Sequence, residues 1–201
     1  MAVRGLDRSI RPLVQSKNSR RTRNLALINY RFALPALAAA LFLATPAQAD
    51  EIIGGVYIHD VDTPFTIAGV EDGVDLQLGW RGDRIGKTTL QPHVFAAVNT
   101  AGKTNYAAAG ISMKFGDRIF IRPGVGIAVH TGSAKNFQDD SNDKLEFGSR
   151  IMFEPELGIG ARLNARMTIE ASWVHMSNGQ IFDRDQNPGI DNLGVRFAVG
   201  L

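Results

Sequence analysis

Between residues 50 and 201 apolar side chains recur at every second position. Val74, Leu76, Leu78 and Trp80 alternate with Asp75, Gln77, Gly79 and Arg81. Ile119, Ile121, Val125, Ile127 and Val129 alternate with Arg122, Gly124, Gly126 and His130. Phe147, Ile151, Phe153, Leu157 and Ile159 alternate with Arg150, Glu154, Glu156, Gly158, Gly160 and Arg162. A side-chain period of two marks β-strands. Turn-forming groups separate the runs, among them Arg81-Gly82-Asp83, Ala101-Gly102-Lys103, Phe115-Gly116-Asp117 and Leu163-Asn164-Ala165. The pattern predicts eight strands, beginning near Glu51, Val74, Leu90, Thr104, Arg118, Leu145, Arg166 and Asp191. Long polar connections fall around 60–73, 82–88, 132–144 and 178–190. They alternate with short ones along much of the chain, as in a barrel with tight turns at one rim and loops at the other.

Period two assigns residues to a face but leaves open which face is buried. A soluble lipocalin-like binding barrel would turn Val, Leu and Ile inward; a membrane barrel would turn them to lipid. The opposite face is rich in Gly and Ala and carries Arg122, Arg150, Glu154, Glu156, Arg162, Arg166, Glu170 and Arg196 in clusters. Eight strands enclose a lumen just wide enough for side chains to fill. Small residues and mutually neutralising Arg and Glu suit that volume. The preferred reading is therefore an all-β fold, an eight-stranded antiparallel transmembrane β-barrel of outer-membrane type, with the lipocalin-like barrel as the alternative.

Charge divides the chain in two. Of 22 Lys and Arg, eight lie in residues 1–49 with only one acid, Asp7. That basic leader precedes an apolar run, Phe32 to Ala44, and then Ala47-Gln48-Ala49. The order describes a cleaved signal peptide over 1–49, followed by a barrel domain over 50–201. The remaining 14 basic and 19 acidic residues leave the mature part acidic, so a nucleic-acid partner is excluded. The absence of cysteine excludes disulfides, thiol nucleophiles and thiolate metal sites. His59, His93 and His130 lie on three strands without metal-ligand spacing. Asp139-Asp140-Ser141-Asn142-Asp143 lacks the Gly and Glu of a calcium loop and reads as a solvated outer loop. Neither a metal nor an organic cofactor is expected.

Chemistry concentrates near the C-terminus. In the strand from Arg166, His175 and Ser177 share a face with Met167, Ile169, Ala171 and Trp173, while Arg166, Thr168, Glu170 and Ser172 occupy the other. Two residues apart on one face, a hydroxyl and an imidazole stand about 6.5–7 Å apart at Cα and can lean together. Asp191 opens the last strand on the side of Leu193, Val195 and Phe197. If these strands pair antiparallel, Asp191 returns beside His175 and supplies the parts of a Ser-His-acid triad. Incidental proximity is the competing account, with His175 a rim residue and Asp191 satisfying turn backbone. Trp173 reads equally as an interfacial anchor or an ordinary outward side chain.

The segment His175-Met176-Ser177-Asn178-Gly179, followed by Asn187-Pro188-Gly189-Ile190-Asp191 and a short final strand, resembles the C-terminal signature of the lipid A 3-O-deacylase (PagL-type, acyloxyacyl hydrolase) family. The resemblance implies an eight-stranded barrel in the outer membrane of a Gram-negative bacterium. It also implies a serine esterase that removes an ester-linked hydroxyacyl chain from the lipid A of lipopolysaccharide. Ser177 would be the nucleophile, His175 the general base and Asp191 the orienting acid, on the lipid-facing surface. Asn178, the Gly179 backbone and Asn187 would form or shape the oxyanion hole. The implied partners are lipopolysaccharide and outer-membrane lipid, with monomer or dimer both open. A non-catalytic structural barrel is the alternative in which His175 and Ser177 are incidental.

Overall fold

The computed structural model describes residues 49–64, 66, 70–135, 144–185 and 187–201. The expected signal peptide, up to residue 48, and the acidic 139–143 stretch lie outside them. Alternating apolar and small or polar side chains form β1 (Ala49–Ile58), β2 (Val74–Gly82), β3 (Leu90–Asn99), β4 (Tyr106–Met113), β5 (Phe115–Gly116), β6 (Ile119–His130), β7 (Ile151–Arg162), β8 (Met167–Met176) and β9 (Ile190–Gly200). Both β4 and β5 pair with β6 in one unbroken register, Ser112 opposite Gly124 and Phe115 opposite Ile121. They form a single wall strand interrupted at Lys114. Each wall strand pairs antiparallel with its neighbour, β1 pairs with β9, and β4 closes on β6. The result is a closed eight-stranded antiparallel barrel with no open sheet edge. No helix among the described residues is long and apolar enough to cross a membrane.

The strand ends place connections 83–89, 117–118 and 163–166 at one rim, and 59–73, 100–105, 131–150 and 177–189 at the other. The predicted long connection at 82–88 thus belongs to the short-turn rim. The seventh wall strand begins at Ile151 rather than Leu145. Leu145 and Phe147 instead fold into the lumen at the long-loop rim, where both are buried and Phe147 meets the His130 ring edge-on. A parallel bridge from Ser133 to Glu146 and the Phe147 N–H to Ser133 carbonyl bond hold them there.

The wall is inside-out relative to a water-soluble protein. Val56, Leu76, Leu78, Val98, Ile121, Val125, Ile159 and Phe197 are exposed outside, whereas Arg81, Arg122 and Arg196 are fully buried. Large apolar patches of this kind mark contact with an apolar phase. Inside, Arg81 joins Glu51 and Glu170, Arg196 joins Glu156, and Arg122 Nε lies 3.3 Å from Glu170. Tyr57 Oη and Gln77 Oε1 accept from Arg196 Nε, at 2.9 Å each. Arg150, Arg162 and Arg166, expected in the lumen, are exposed near the rims. There Arg162 pairs with Asp117 and Arg150 donates to the Gly132 carbonyl, because strand parity ceases where the chain turns. The lumen's aromatic rings lie close over glycines of adjacent strands: a Cβ at Gly160 would stand 2.4 Å from Phe120, and one at Gly194 2.6 Å from Tyr57.

The long-loop end is sealed by a buried polar cluster. His59 Nδ1 lies 2.9 Å from Asp75 and Nε2 3.1 Å from Glu71. Glu71 also accepts the backbone N–H groups of Thr104 and Leu145, tying three connections together. Burial works against a charge on His59, but hydrogen bonds donated to Asp75 and then Glu71 outweigh it and raise its pKa to about 9. Burial likewise opposes the Glu71 charge; His59 and Thr104 more than offset it and hold the carboxyl below its ordinary range.

Candidate active site

The site lies on the outer face of β8 and β9 at the long-loop rim. In their antiparallel register His175 stands directly opposite Asp191. Directly opposed residues share a face, and the two side chains meet: His175 Nδ1 is 2.8 Å from Asp191 Oδ1. The imidazole remains 13% accessible while the carboxylate is fully buried. An outward carboxylate becomes buried here because the 59–73 connection folds down over it. Val61 N–H donates to the Asp191 carbonyl at 2.7 Å, and Asp60 N–H to Asn192 Oδ1 at 3.1 Å. The hydroxyls of Thr63 and Thr66 then reach Asp191 Oδ2, Thr66 at 2.8 Å. Trp173 Nε1–H donates to Oδ1 at 2.8 Å, its ring stacked on His175 with centroids 5.8 Å apart. Four side-chain groups thus converge on one carboxylate, shared two to each oxygen. Such charge-assisted bonds fix both the position and the ionised form of the acceptor.

Ser177 follows His175 by two residues. An isolated bridge with Phe153 prolongs β8, with N–H to carbonyl bonds of 3.1 and 2.7 Å in the two directions. The structure therefore brings His175 and Asp191 into direct contact, and Ser177 stands two residues beyond His175 on the prolonged strand. The chain then turns at once. Ile181 N–H donates to the Asn178 carbonyl, and both central residues are left-handed, Gly179 at φ 63° and Gln180 at φ 56°. Two left-handed central residues characterise a type I′ turn; Gly179 takes that backbone freely, and Gln180 adopts it beside the glycine.

Asn178 points inward and is fully buried, donating from Nδ2 to the Phe147 carbonyl at 2.9 Å and accepting from Gln180 N–H at 2.7 Å. Asn187 Oδ1 accepts the N–H groups of Asn178 and Gly179, at 2.9 and 3.2 Å, and so ties the two ends of the 177–189 connection. Gly189 passes close to the imidazole: a Cβ there would stand 2.7 Å from His175 Cε1 and 2.6 Å from Thr66 Cγ2. Sequence reading missed Thr63, Thr66 and Gly189. The connection that carries the threonines has no periodicity to reveal where it folds. The parity of Trp173 was visible, but its indole N–H bond to Asp191 required the register.

The family model for lipid A 3-O-deacylase (PagL) matches residues 73–200. The chain belongs to that family. Membership in the lipid A 3-O-deacylase family makes it a hydrolase of ester bonds and places it in the Gram-negative outer membrane, where the apolar outer belt meets lipid. The fold agrees with a crystal structure of the outer membrane enzyme PagL, at 21% identity and a TM-score of 0.51, with 75% of this chain and 99% of that one covered. Neisserial surface protein A aligns at 11% identity and a TM-score of 0.49, over 75% of this chain and 96% of that one. A designed transmembrane β-barrel aligns at 11% and 0.49, over 77% and 97%. No curated protein matches the chain.

Proposed function

We propose that this deacylase removes the acyl chain esterified at the 3-O position of lipid A, with Ser177 as nucleophile, His175 as general base and Asp191 as the acid that orients it. The observation carrying this reading is the 2.8 Å bond between His175 Nδ1 and a buried Asp191 carboxylate, on the outward face that also bears Ser177. With Nδ1–H committed to Asp191, Nε2 is the nitrogen that exchanges a proton with Ser177. Ser177 Oγ adds to the ester carbonyl as its proton passes to Nε2. The C–O bond to the sugar then breaks, and the sugar oxygen takes that proton. Water, activated by the same base, hydrolyses the acyl-Ser177 ester and releases the fatty acid.

Developing charge on the carbonyl oxygen needs preorganised donors, each worth about 10²–10³ in rate. Asn187 Oδ1 is occupied by two backbone N–H groups, which leaves its NH2 as the donor in this reading. The backbone N–H groups of Asn178 and Gly179 hold that side chain in place. Next to Ser177, Phe153 stacks on Phe182 with centroids 5.1 Å apart, and Ile181 is exposed. These side chains form an apolar ledge for the acyl chain, so the substrate stays in lipid while its ester reaches the rim.

Mass spectrometry of lipid A from cells expressing each form tests the proposal. Wild type should yield lipid A lacking one acyl chain, and Ser177→Ala or His175→Ala should leave it intact. Lipid A unchanged by folded wild type, in every acylation state offered, would favour a non-catalytic barrel.

A further inference from the structure

Inside the lumen, away from the rim site, register builds a second cluster. His93 of β3 is paired with Gly110 of β4, Gly110 with Gly126 of β6, and Gly126 with Glu154 of β7. An imidazole and a carboxylate therefore end one straight row across four strands, with two glycines between them. Glu156 ends the adjoining row, opposite Gly124. The glycines make the floor: a Cβ at Gly110 would stand 2.8 Å from His93 Nε2, one at Gly126 2.6 Å from Glu154 Oε2, and one at Gly124 2.8 Å from Glu156 Oε1. Over this floor the three side chains converge, one donor atom of each within 4.8 Å of the others.

All three are buried, and among the described residues His93 Nδ1 and Nε2, both Glu154 oxygens and Glu156 Oε1 have no hydrogen-bond partner. Buried polar atoms left unpaired are costly. Charge adds to this. Below the His59 cluster, among the described residues, the lumen carboxylates of Glu51, Glu154, Glu156 and Glu170 face the guanidiniums of Arg81, Arg122 and Arg196. Among the described residues Glu156, Glu170 and Glu51 each touch an arginine, whereas Glu154 is opposed only by His93, at 3.4 Å.

An imidazolium could supply the missing positive charge. It would bind both carboxylates through N–H bonds of about 2.7–2.9 Å. The separations are instead 3.4 Å from Nε2 to Glu154 and 3.7 Å from Nδ1 to Glu156, too long for such bonds. Two ligands each about 2.1 Å from a tetrahedral zinc ion stand roughly 3.4 Å apart, which is the Nε2 to Glu154 spacing. One imidazole with two carboxylates is a donor set for first-row divalent ions.

We propose that His93, Glu154 and Glu156 bind one such divalent ion, of the zinc class, as a structural site within the barrel. Zn²⁺ itself is the probe. Untagged mature protein, folded in detergent micelles and stripped with chelator, is equilibrated with Zn²⁺, passed through gel filtration and assayed for metal by atomic emission. Wild type should retain about one zinc per chain, and Glu154→Gln or His93→Gln should lose it at least tenfold, each variant keeping the heat-modifiable gel mobility of a folded barrel. X-ray absorption of zinc-loaded wild type is the second readout, and it should show one imidazole within a nitrogen and oxygen shell near 2.0–2.1 Å. Wild type that retains no zinc, retention unchanged in both variants, or a zinc shell without imidazole would each overturn the proposal. None of these readouts depends on deacylation.

Discussion

At Asp191 strand parity and burial point in opposite directions, and four side chains reconcile them: His175, Trp173, Thr63 and Thr66. Asp191→Asn keeps the shape but removes the charge and allows the wrong imidazole tautomer. Deacylation kcat should fall by about 10⁴, with the barrel still folded by gel shift. Thr63→Val, Thr66→Val and Trp173→Phe each delete one donor and leave the acid in place. Each should lower kcat roughly tenfold, on the scale of one charge-assisted bond, and move the acidic limb of the pH–rate profile with KM nearly unchanged. A merely structural role for these three would leave that limb where it is. Gly189→Ala should inactivate more severely, because its Cβ meets the imidazole itself. What the sequence shows at this scale is parity: alternation alone puts His175, Ser177 and Asp191 on the apolar face, and the β8–β9 register pairs His175 with Asp191 as an antiparallel return predicts. The bracing threonines were invisible because their placement depends on how an aperiodic connection folds back.

Among the elements, the 177–189 connection governs the site. Its first turn needs left-handed backbone at Gly179, and its far end is tied back by Asn187. Asn187→Ala removes one acceptor shared by two N–H groups. Deacylation should drop by about 10²-fold if the NH2 also serves the oxyanion, and Asn187→Asp, which keeps the acceptor but has no NH2, should not restore it. Recovery in the Asp variant would reduce Asn187 to a turn brace. The wall strands were legible because period two persists wherever one face meets lipid and the other the lumen. It misled at the ends. Phe147 keeps the parity of Ile151 and Phe153, yet it belongs to a segment that folds inward and pairs with Ser133. Arg150, Arg162 and Arg166 likewise extend the charged face on paper and leave it where the chain turns. The His93 row was hidden for another reason: its members come from β3 and β7, and no spacing along the chain records a register between them.

Across the whole molecule, stability rests on charges that have no water to retreat to. Arg196→Met strips Glu156 of its partner at 2.8 Å, and removing one member of a buried pair costs about 3–5 kcal/mol. Denaturant titration followed by gel shift should read this as a lower unfolding midpoint. The cluster at the long-loop end adds a pH dependence. His59 rises from its ordinary 6.5 to about 9 in the folded protein beside Asp75 and Glu71. Its contribution is therefore complete below pH 6.5 and disappears as pH climbs through 9. Glu71 is shifted down, so its contribution is present above the usual glutamate range and lost as pH falls through the lowered value. The melting temperature should decline between pH 7 and pH 10, and His59→Gln should flatten that decline.

One connection serves both ends of this account: 59–73 plugs the lumen through His59 and Glu71 and grips Asp191 through Thr63 and Thr66. A protease that nicks the backbone between 61 and 64, where Asp62 and Pro64 are exposed, would sever no wall pairing, and the cut barrel should still migrate as folded. Its freed ends would release two of the grips on Asp191, so a single scission at the surface should silence the enzyme while its shell survives.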